Sequence, residues 1–135
     1  MEYGSLREKI AAEKQERSER YAKFQTMYET AWKQGVDAVN NALKPDPMHV
    51  TDGRQVWTVN DGPCGFAWVV IKPATSSFAR WLSKNKYADK HYYGGLSIWI
   101  GDYNQSEYYK SVHAGAMAEY FRANGVEAYS GSRLD

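Results

Sequence analysis

The residues best suited to bind a ligand lie in one basic and aromatic stretch, from Arg80 to Tyr93. This stretch contains four cationic residues and a single acidic one, Asp89, and aromatic residues and His91 lie among them. Bases of single-stranded nucleic acid stack on such rings while cations contact the phosphates. The simpler alternative is a solvated helix face. The stretch, with Arg133, predicts a site for single-stranded nucleic acid or a nucleotide, made of Arg80, Trp81, Lys84, Lys86, Tyr87, Lys90, Tyr92, Tyr93 and Arg133.

Cys64, the single cysteine, is a weak candidate for catalysis. It lies in the turn sequence Asp61-Gly62-Pro63-Cys64-Gly65, where a thiolate would be accessible. A nucleophilic cysteine needs a neighbouring base, and no spacing links His49, His91 or His113 to it. Because an isolated cysteine more often serves as a small buried apolar residue, a small cysteine-dependent enzyme is a distant alternative.

The sequence contains no further catalytic or cofactor-binding pattern. Its three histidines and one cysteine lack the spacing of zinc ligands, so we expect no metal. It also lacks a nucleophile elbow, a P-loop and a dinucleotide fingerprint, so we expect no cofactor. His113 shares the apolar face of a predicted helix with Tyr109 and Ala116. We therefore expect this histidine to be packed in the core.

Composition places the chain among ordinary globular proteins. Its 135 residues are 43% hydrophobic and 24% charged, which favours a single domain. The charged start and the single cysteine predict a cytoplasmic protein, and no apolar run approaches the roughly 18 residues of a membrane helix. The net charge is +1, so a partner recognised by charge must meet a local patch rather than the overall field.

The N-terminal third, residues 1–44, predicts one long helix. Ser5 and Glu8 have the spacing of a capping box, and Pro45 disfavours helix at the residue before it. From Tyr21 to Ala42, apolar residues recur at steps of three and four, which predicts a packed half.

The first half of this helix has a different pattern. Residues 7–20 carry charges on all sides, with only Leu6 and Ile10 as large apolar residues nearby. A helix that is polar all round is held by pairs along its own surface or by a partner. We therefore predict a projecting arm that binds a protein partner or a second copy of the chain.

Beyond this helix we predict a linker, residues 45–54, and a compact part of the same domain, residues 55–135. The fold class is α+β, with a four-stranded sheet in α-β-β-α-β-α-β order and two or three layers. Right-handed connections would place the two later helices on one sheet face and leave the other to the N-terminal helix. The predicted strands are 55–60, 65–71, 96–100 and 126–130, the first two forming a hairpin, and the predicted helices are 75–86 and 104–124.

Five short segments of the sequence carry a resemblance to known proteins: Pro63–Trp68, Ser76–Trp81, Tyr92–Gly95, Tyr103–Ser106 and Ala128–Asp135. They resemble a group of small proteins encoded in tailed-phage and prophage genomes, and the likeness extends over most of the chain, including the charged N-terminal helix. The group has no assigned activity. The resemblance implies a viral origin and expression in the cytoplasm of a bacterial host, and it assigns no catalytic or binding residue.

These observations favour a binding protein over an enzyme. The leading hypothesis is a phage-type accessory protein that acts on a host or phage macromolecule, for example by inhibiting a host process. It would use its aromatic surface or its helical arm. The alternative is binding of single-stranded nucleic acid or a nucleotide through the stretch from Arg80 to Tyr93.

Overall fold

The first helix, α1 (Leu6–Asn41), begins at the predicted cap in the computed structural model, which describes residues 5–44, 48–51, 53, 56–59, 63–103 and 106–134. The Ser5 side chain accepts a hydrogen bond of 3.2 Å from the backbone N–H of Glu8, which satisfies one donor of the first turn. Pro45, the predicted terminator, lies outside the described residues.

Helix α1 consists of an exposed arm and a packed half, as its sequence predicts. Residues 6–20 are exposed except for the half-buried Ala12. In the packed half, Ala31 and Gly35 are buried, and the Phe24 ring lies 5.4 Å from that of Phe78 between ring centroids. The arm therefore leaves the body of the protein near residue 20.

Helices α2 (Ser77–Lys84) and α3 (Glu107–Ala123) both begin at serine caps. Ser76 accepts a hydrogen bond from the N–H of Ala79 at 3.1 Å, and Ser106 accepts one from Tyr109 at 3.2 Å. Helix α3 ends at Asn124, and Gly125 follows with φ of +84°, the left-handed conformation expected after a helix. Asn104, the predicted start of α3, lies outside the described residues.

Four strands form the main antiparallel sheet, in the order β4-β5-β3-β6, which confirms the predicted α+β class. β3 is central and pairs with β5 on one side and with β6 along its whole length on the other. Its β-branched residues Val69, Val70 and Ile71 are fully buried. The strands are β3 (Gly65–Lys72), β4 (Asp89–Lys90), β5 (Leu96–Trp99) and β6 (Glu127–Leu134).

The two remaining strands, β1 (Met48–Thr51) and β2 (Val56–Val59), form a separate antiparallel pair. The predicted hairpin between residues 55–60 and 65–71 is therefore wrong, and the predicted linker contains β1. Both edges of β3 are occupied by β5 and β6, whereas β2 meets β1 across a short connection at Gly53, whose φ is +93°. The predicted turn at Asp61 and Gly62 lies outside the described residues.

All three helices lie on the same side of the main sheet. Alternate residues of β3, including Val69 and Ile71, join one core with Leu82 of α2 and Phe121 of α3. α1 packs against α2 and α3. The expectation that α1 would cover the other sheet face is therefore wrong, because its aromatic stripe finds apolar partners on the two shorter helices. We call the opposite face of the main sheet, against which none of the described helices packs, the open face.

His113 lies at the joint between α1 and α3, where it is fully buried as predicted. Its ring centroid lies 4.4 Å from that of Trp32, and its Nδ1 is 2.8 Å from the hydroxyl of Tyr103. Its Nε2 has no hydrogen-bond partner among the described residues. Burial lowers the pKa of His113 to about 4, and the charge of Asp102 partly opposes this shift. This histidine is therefore neutral at pH 7.

Candidate binding site on the open sheet face

The open face carries aromatic side chains from three neighbouring strands. Because successive residues of a strand point to opposite faces, burial of Val69 and Ile71 on the helical side places Phe66 and Trp68 on the open side. The register then pairs Trp68 with Trp99 of β5 and Val70 with Tyr129 of β6 on the same face. Large rings thus lie side by side on the face that no described helix covers.

Trp68 and Trp99 form the floor of this surface. Their ring centroids are 5.0 Å apart and their planes differ by 43°. Trp68 is half-buried, whereas Trp99 is 46% exposed. Opposite Trp68 the register places Gly131, and a Cβ atom there would lie 2.6 Å from the indole nitrogen. The indole can therefore lie against β6 only because position 131 has no side chain.

A cavity of about 480 Å³ opens above this floor. Its volume falls within the usual range of small-ligand sites, roughly 300–1,000 Å³. The described residues that line it combine rings with cations and include no carboxylate: Trp68, Lys90, His91, Tyr92, Tyr93, Ser97, Trp99 and Arg133. The cavity is therefore suited to a planar group that carries negative charge.

The loop between β4 and β5 forms one wall of the cavity. The His91 N–H donates to the Gly95 carbonyl at 2.9 Å, and Gly94 and Gly95 take φ values of +100° and +78° that favour glycine. The tight loop between His91 and Gly95 presents Tyr92 and Tyr93, whose side chains are 89% and 79% exposed. Such exposed rings, held by a short loop, are free to contact a ligand.

His91 is anchored by the floor of the cavity. Its Nδ1 lies 2.5 Å from the hydroxyl of Ser97, which is buried on β5. The His91 ring lies 6.3 Å from Trp68 and 6.2 Å from Tyr93 between centroids. This hydrogen bond holds the imidazole between the tryptophan floor and the tyrosine wall.

Cations border the aromatic surface at two places. The Arg133 guanidinium lies 5.2 Å from the centroid of the Phe66 ring, and the Lys72 ammonium lies 5.4 Å from that of Tyr129. Both distances are within the range of a cation–π interaction. These interactions keep positive charge beside the rings, where it can meet phosphate or carboxylate groups of a ligand.

The residues predicted from the sequence separate into three groups. Lys90, Tyr92, Tyr93 and Arg133 come together at the open-face cavity. A second group lies at the α1–α2 junction, where Arg80 and Lys84 line a small pocket with Trp81 beneath them. Lys86 is exposed just after α2, with φ of +63°.

Two of the predicted aromatic residues pack against other rings. Trp81 is buried and lies in a stacked arrangement 6.1 Å from Phe78 between centroids. Tyr87 is half-buried and stacks on Tyr28 at 4.2 Å. Because these faces are already occupied, neither ring presents a free surface for a base.

Four cavity residues are absent from the sequence-predicted site: His91, which belongs to the stretch from Arg80 to Tyr93, and three strand residues, Trp68, Ser97 and Trp99. Their signal is present in the alternation of the two strands, since Leu96 and Ile98 are the apolar partners that mark Ser97 and Trp99 as facing the other way. The sequence does not indicate that this second face stays uncovered, and so they were not assigned to a site.

Cys64 lies directly before the first residue of β3. It is exposed and pairs through an isolated backbone bridge with Ser106, rather than being buried. His91 is engaged by Ser97 and His113 by Tyr103, and the His49 side chain lies outside the described part. No described contact therefore supplies Cys64 with a base.

Two kinds of feature are absent from the described part of the chain. No group of three histidine, cysteine or acidic residues is arranged there to hold a metal ion. None of its helices has the length and apolarity needed to cross a bilayer. Comparisons with protein-family models, curated proteins and solved structures gave no match.

Proposed function

We propose that this protein is a non-enzymatic binding protein whose open sheet face binds single-stranded nucleic acid. The observation that carries the proposal is the Trp68–Trp99 floor, exposed in a cavity lined by Lys90 and Arg133. Every base offers a flat face to such rings, and stacking contributes roughly 1 to 3 kcal/mol per base. Phosphates of the same strand would meet the cations at the border.

The shape of the site favours unpaired bases. Stacking on the tryptophan floor requires a base whose faces are free of neighbours, and bases in a duplex are already stacked on one another. The two exposed tyrosines, Tyr92 and Tyr93, are placed to stack on a second base or to close over the first. A single nucleotide would use the same contacts with lower affinity, because it brings fewer rings and phosphates.

Ser97 and His91, which both line the cavity, have a positioning role rather than a catalytic one. Ser97 lies within β5, between β3 and β4, where backbone N–H groups take part in sheet pairing. A nucleophilic serine also needs donors to stabilise the oxyanion that forms on its substrate, and paired strands do not offer them at this position. We therefore assign the hydroxyl of Ser97 to holding His91 in place.

The test is binding of a dye-labelled thymidine oligonucleotide, followed by fluorescence anisotropy. Trp99→Ala removes half of the floor and should weaken binding about 5- to 150-fold, the range that corresponds to one stacked base. Tyr92→Ala with Tyr93→Ala should also weaken binding, whereas the matched change of both to Phe keeps the rings and should retain it. Equal affinity of the Trp99→Ala and wild-type proteins would rule out stacking on this floor.

Charge is tested by salt dependence. If Arg133 contacts a phosphate, Arg133→Gln should lower the slope of log affinity against log salt by about 0.7 for a single strand. Lys33→Gln removes a cation from an exposed position of α1 outside the cavity and should leave the slope unchanged. A strand bound no better than its duplex would also contradict the proposal.

A second candidate function is binding of a protein partner, and the exposed arm favours it. Leu6 and Ile10 are 72% and 54% exposed, and residues 6–20 of the same helix are all exposed except for the half-buried Ala12. In the phage setting that the resemblance implies, the partner would be a host or phage protein, or a second copy. Deleting residues 1–18 should leave the domain folded and, if copies pair, reduce the mass found by light scattering at high concentration. An unchanged mass would exclude self-association through the arm.

A further inference from the structure

A second cluster of cations lies at the junction of α1 and α2, apart from the open face. Arg20 comes from α1, and Arg80 and Lys84 come from α2. With Tyr21, Ser77 and Trp81 they line a pocket of about 180 Å³. Two helices thus bring three cations around one small concavity.

Two of these charges lie beside the ring of Tyr21. The Arg20 guanidinium is 6.0 Å from the ring centroid and the Lys84 ammonium is 5.9 Å from it. Contact with the ring steers both side chains towards the pocket. Beneath them, buried Trp81 closes the floor.

The charges of this cluster are not balanced by its own lining. Arg80 and Lys84 are four residues apart, and like charges at that spacing destabilise a helix. Arg20 adds a third positive charge, and the described residues that line the pocket include no carboxylate. An anion seated between the cations would remove this repulsion.

We propose that the junction of α1 and α2 is a separate site that binds a phosphate group between Arg20, Arg80 and Lys84. Arginine forks onto phosphate oxygens through paired N–H donors, and lysine adds a point charge. Ser77, at the start of α2, supplies a hydroxyl donor at the pocket wall. The group is a phosphate monoester, a free phosphate or a backbone phosphate of nucleic acid, all of which present the same oxygens.

Phosphate binding at this junction would also fix the end of the exposed arm at Arg20 to α2. Arg20 is the last residue of the exposed half of α1, whereas Arg80 and Lys84 belong to a helix packed in the core. A phosphate that bridges them ties the arm to the body of the protein. The site therefore couples a ligand to the segment that we expect to meet a protein partner.

The experiment is a titration of the full ¹⁵N-labelled chain with inorganic phosphate, with sodium chloride at matched ionic strength as reference. We expect saturable shifts of the amides around Tyr21, Ser77 and Arg80, together with a rise of Tm on phosphate addition. Arg80→Gln with Lys84→Gln removes two exposed charged contacts and should weaken phosphate binding about tenfold, which corresponds to about 1.4 kcal/mol. The control pair Lys14→Gln with Lys33→Gln makes the same charge change on α1 and should bind as wild type.

A second arm of the experiment separates the sources of the phosphate. The same amides are followed with a thymidine oligonucleotide in the Trp99→Ala background, which weakens the open-face site. Shifts with inorganic phosphate alone indicate a free phosphate or a monoester, and shifts with the strand alone indicate a backbone phosphate. The proposal is overturned if neither probe gives saturable shifts, or if Arg80→Gln with Lys84→Gln responds as wild type. Either result leaves the test of the open face unaffected, because Trp99 lines a different cavity and is probed by anisotropy.

Discussion

Gly131→Ala offers the sharpest test of the open-face floor. A Cβ atom at this position would lie 2.6 Å from Nε1, 2.7 Å from Cε2 and 2.9 Å from Cζ2 of Trp68. Real Cβ contacts do not come this close, so the indole must move away from β6 or the strands must shift. Overpacking of this kind costs roughly 1 to 3 kcal/mol of unfolding free energy. For a domain of this size we expect Tm to fall by about 4 °C for each kcal/mol.

The displaced indole should also impair the ligand site. The ring centroids of Trp68 and Trp99 are 5.0 Å apart, so displacement of the Trp68 ring changes the surface on which a base would stack. We expect weaker oligonucleotide binding, a changed near-ultraviolet circular dichroism spectrum and a lower urea midpoint. Replacing Trp68 by Val in the Gly131→Ala protein should restore stability, because the clash is gone, but it should not restore binding.

Gly115→Ala is the matched control. Gly115 lies within α3, and the nearest atom to a Cβ there is the Ser130 hydroxyl oxygen at 4.0 Å. Alanine in a helix interior is favoured over glycine by roughly 0.5 to 1 kcal/mol, so this protein should be as stable as wild type or more stable. If Gly131→Ala matches Gly115→Ala in stability and in its near-ultraviolet spectrum, the close contact between Trp68 and β6 is refuted.

The joint at His113 leads to two further predictions. Folding lowers the pKa of His113 from 6.5 to about 4, so the unfolded chain takes up its proton first as the pH falls. Its contribution to stability is complete above pH 6.5 and is lost between there and pH 4, by about 3 kcal/mol in total. Urea unfolding at several pH values should show this slope in wild type and not in His113→Gln, and equal slopes would contradict it. Gly35→Ala places a Cβ atom 2.4 Å from Cδ2 of His113. This overpacking should lower the free energy of unfolding by roughly 1 to 3 kcal/mol. An unchanged urea midpoint would contradict the close contact between α1 and α3.

Elements governed by local chemistry were predictable from the sequence. Ser5, Ser76 and Gly125 act at helix ends as their types require, because a side-chain hydroxyl satisfies the first free N–H groups and glycine takes the left-handed turn. The step from charged to apolar periodicity near Tyr21 likewise marks where α1 begins to pack. Such signals depend on a few neighbouring residues, so the amino-acid order alone determines them.

Pairing between distant strands could not be predicted from local sequence. The sequence around Val56 and Val59 predicts a strand, but not whether it joins β3 or β1, since both pairings satisfy the same backbone hydrogen bonds. The choice depends on which edges of β3 are already occupied by β5 and β6. That competition exists only in the assembled sheet, and for this reason the predicted hairpin was wrong.

The candidate site shows the same division. The sequence by itself determined the rings and cations of the stretch from Arg80 to Tyr93 and the alternation that carries Trp99. Only the tertiary structure decided that α1 packs on α2 and α3, so that none of the described helices lies on the open face. It also decided that Trp81 is buried while Arg133 reaches the cavity from β6. Side-chain type and spacing set what a residue can contact, but its exposure depends on which apolar surfaces meet, and that is a property of the whole packed chain.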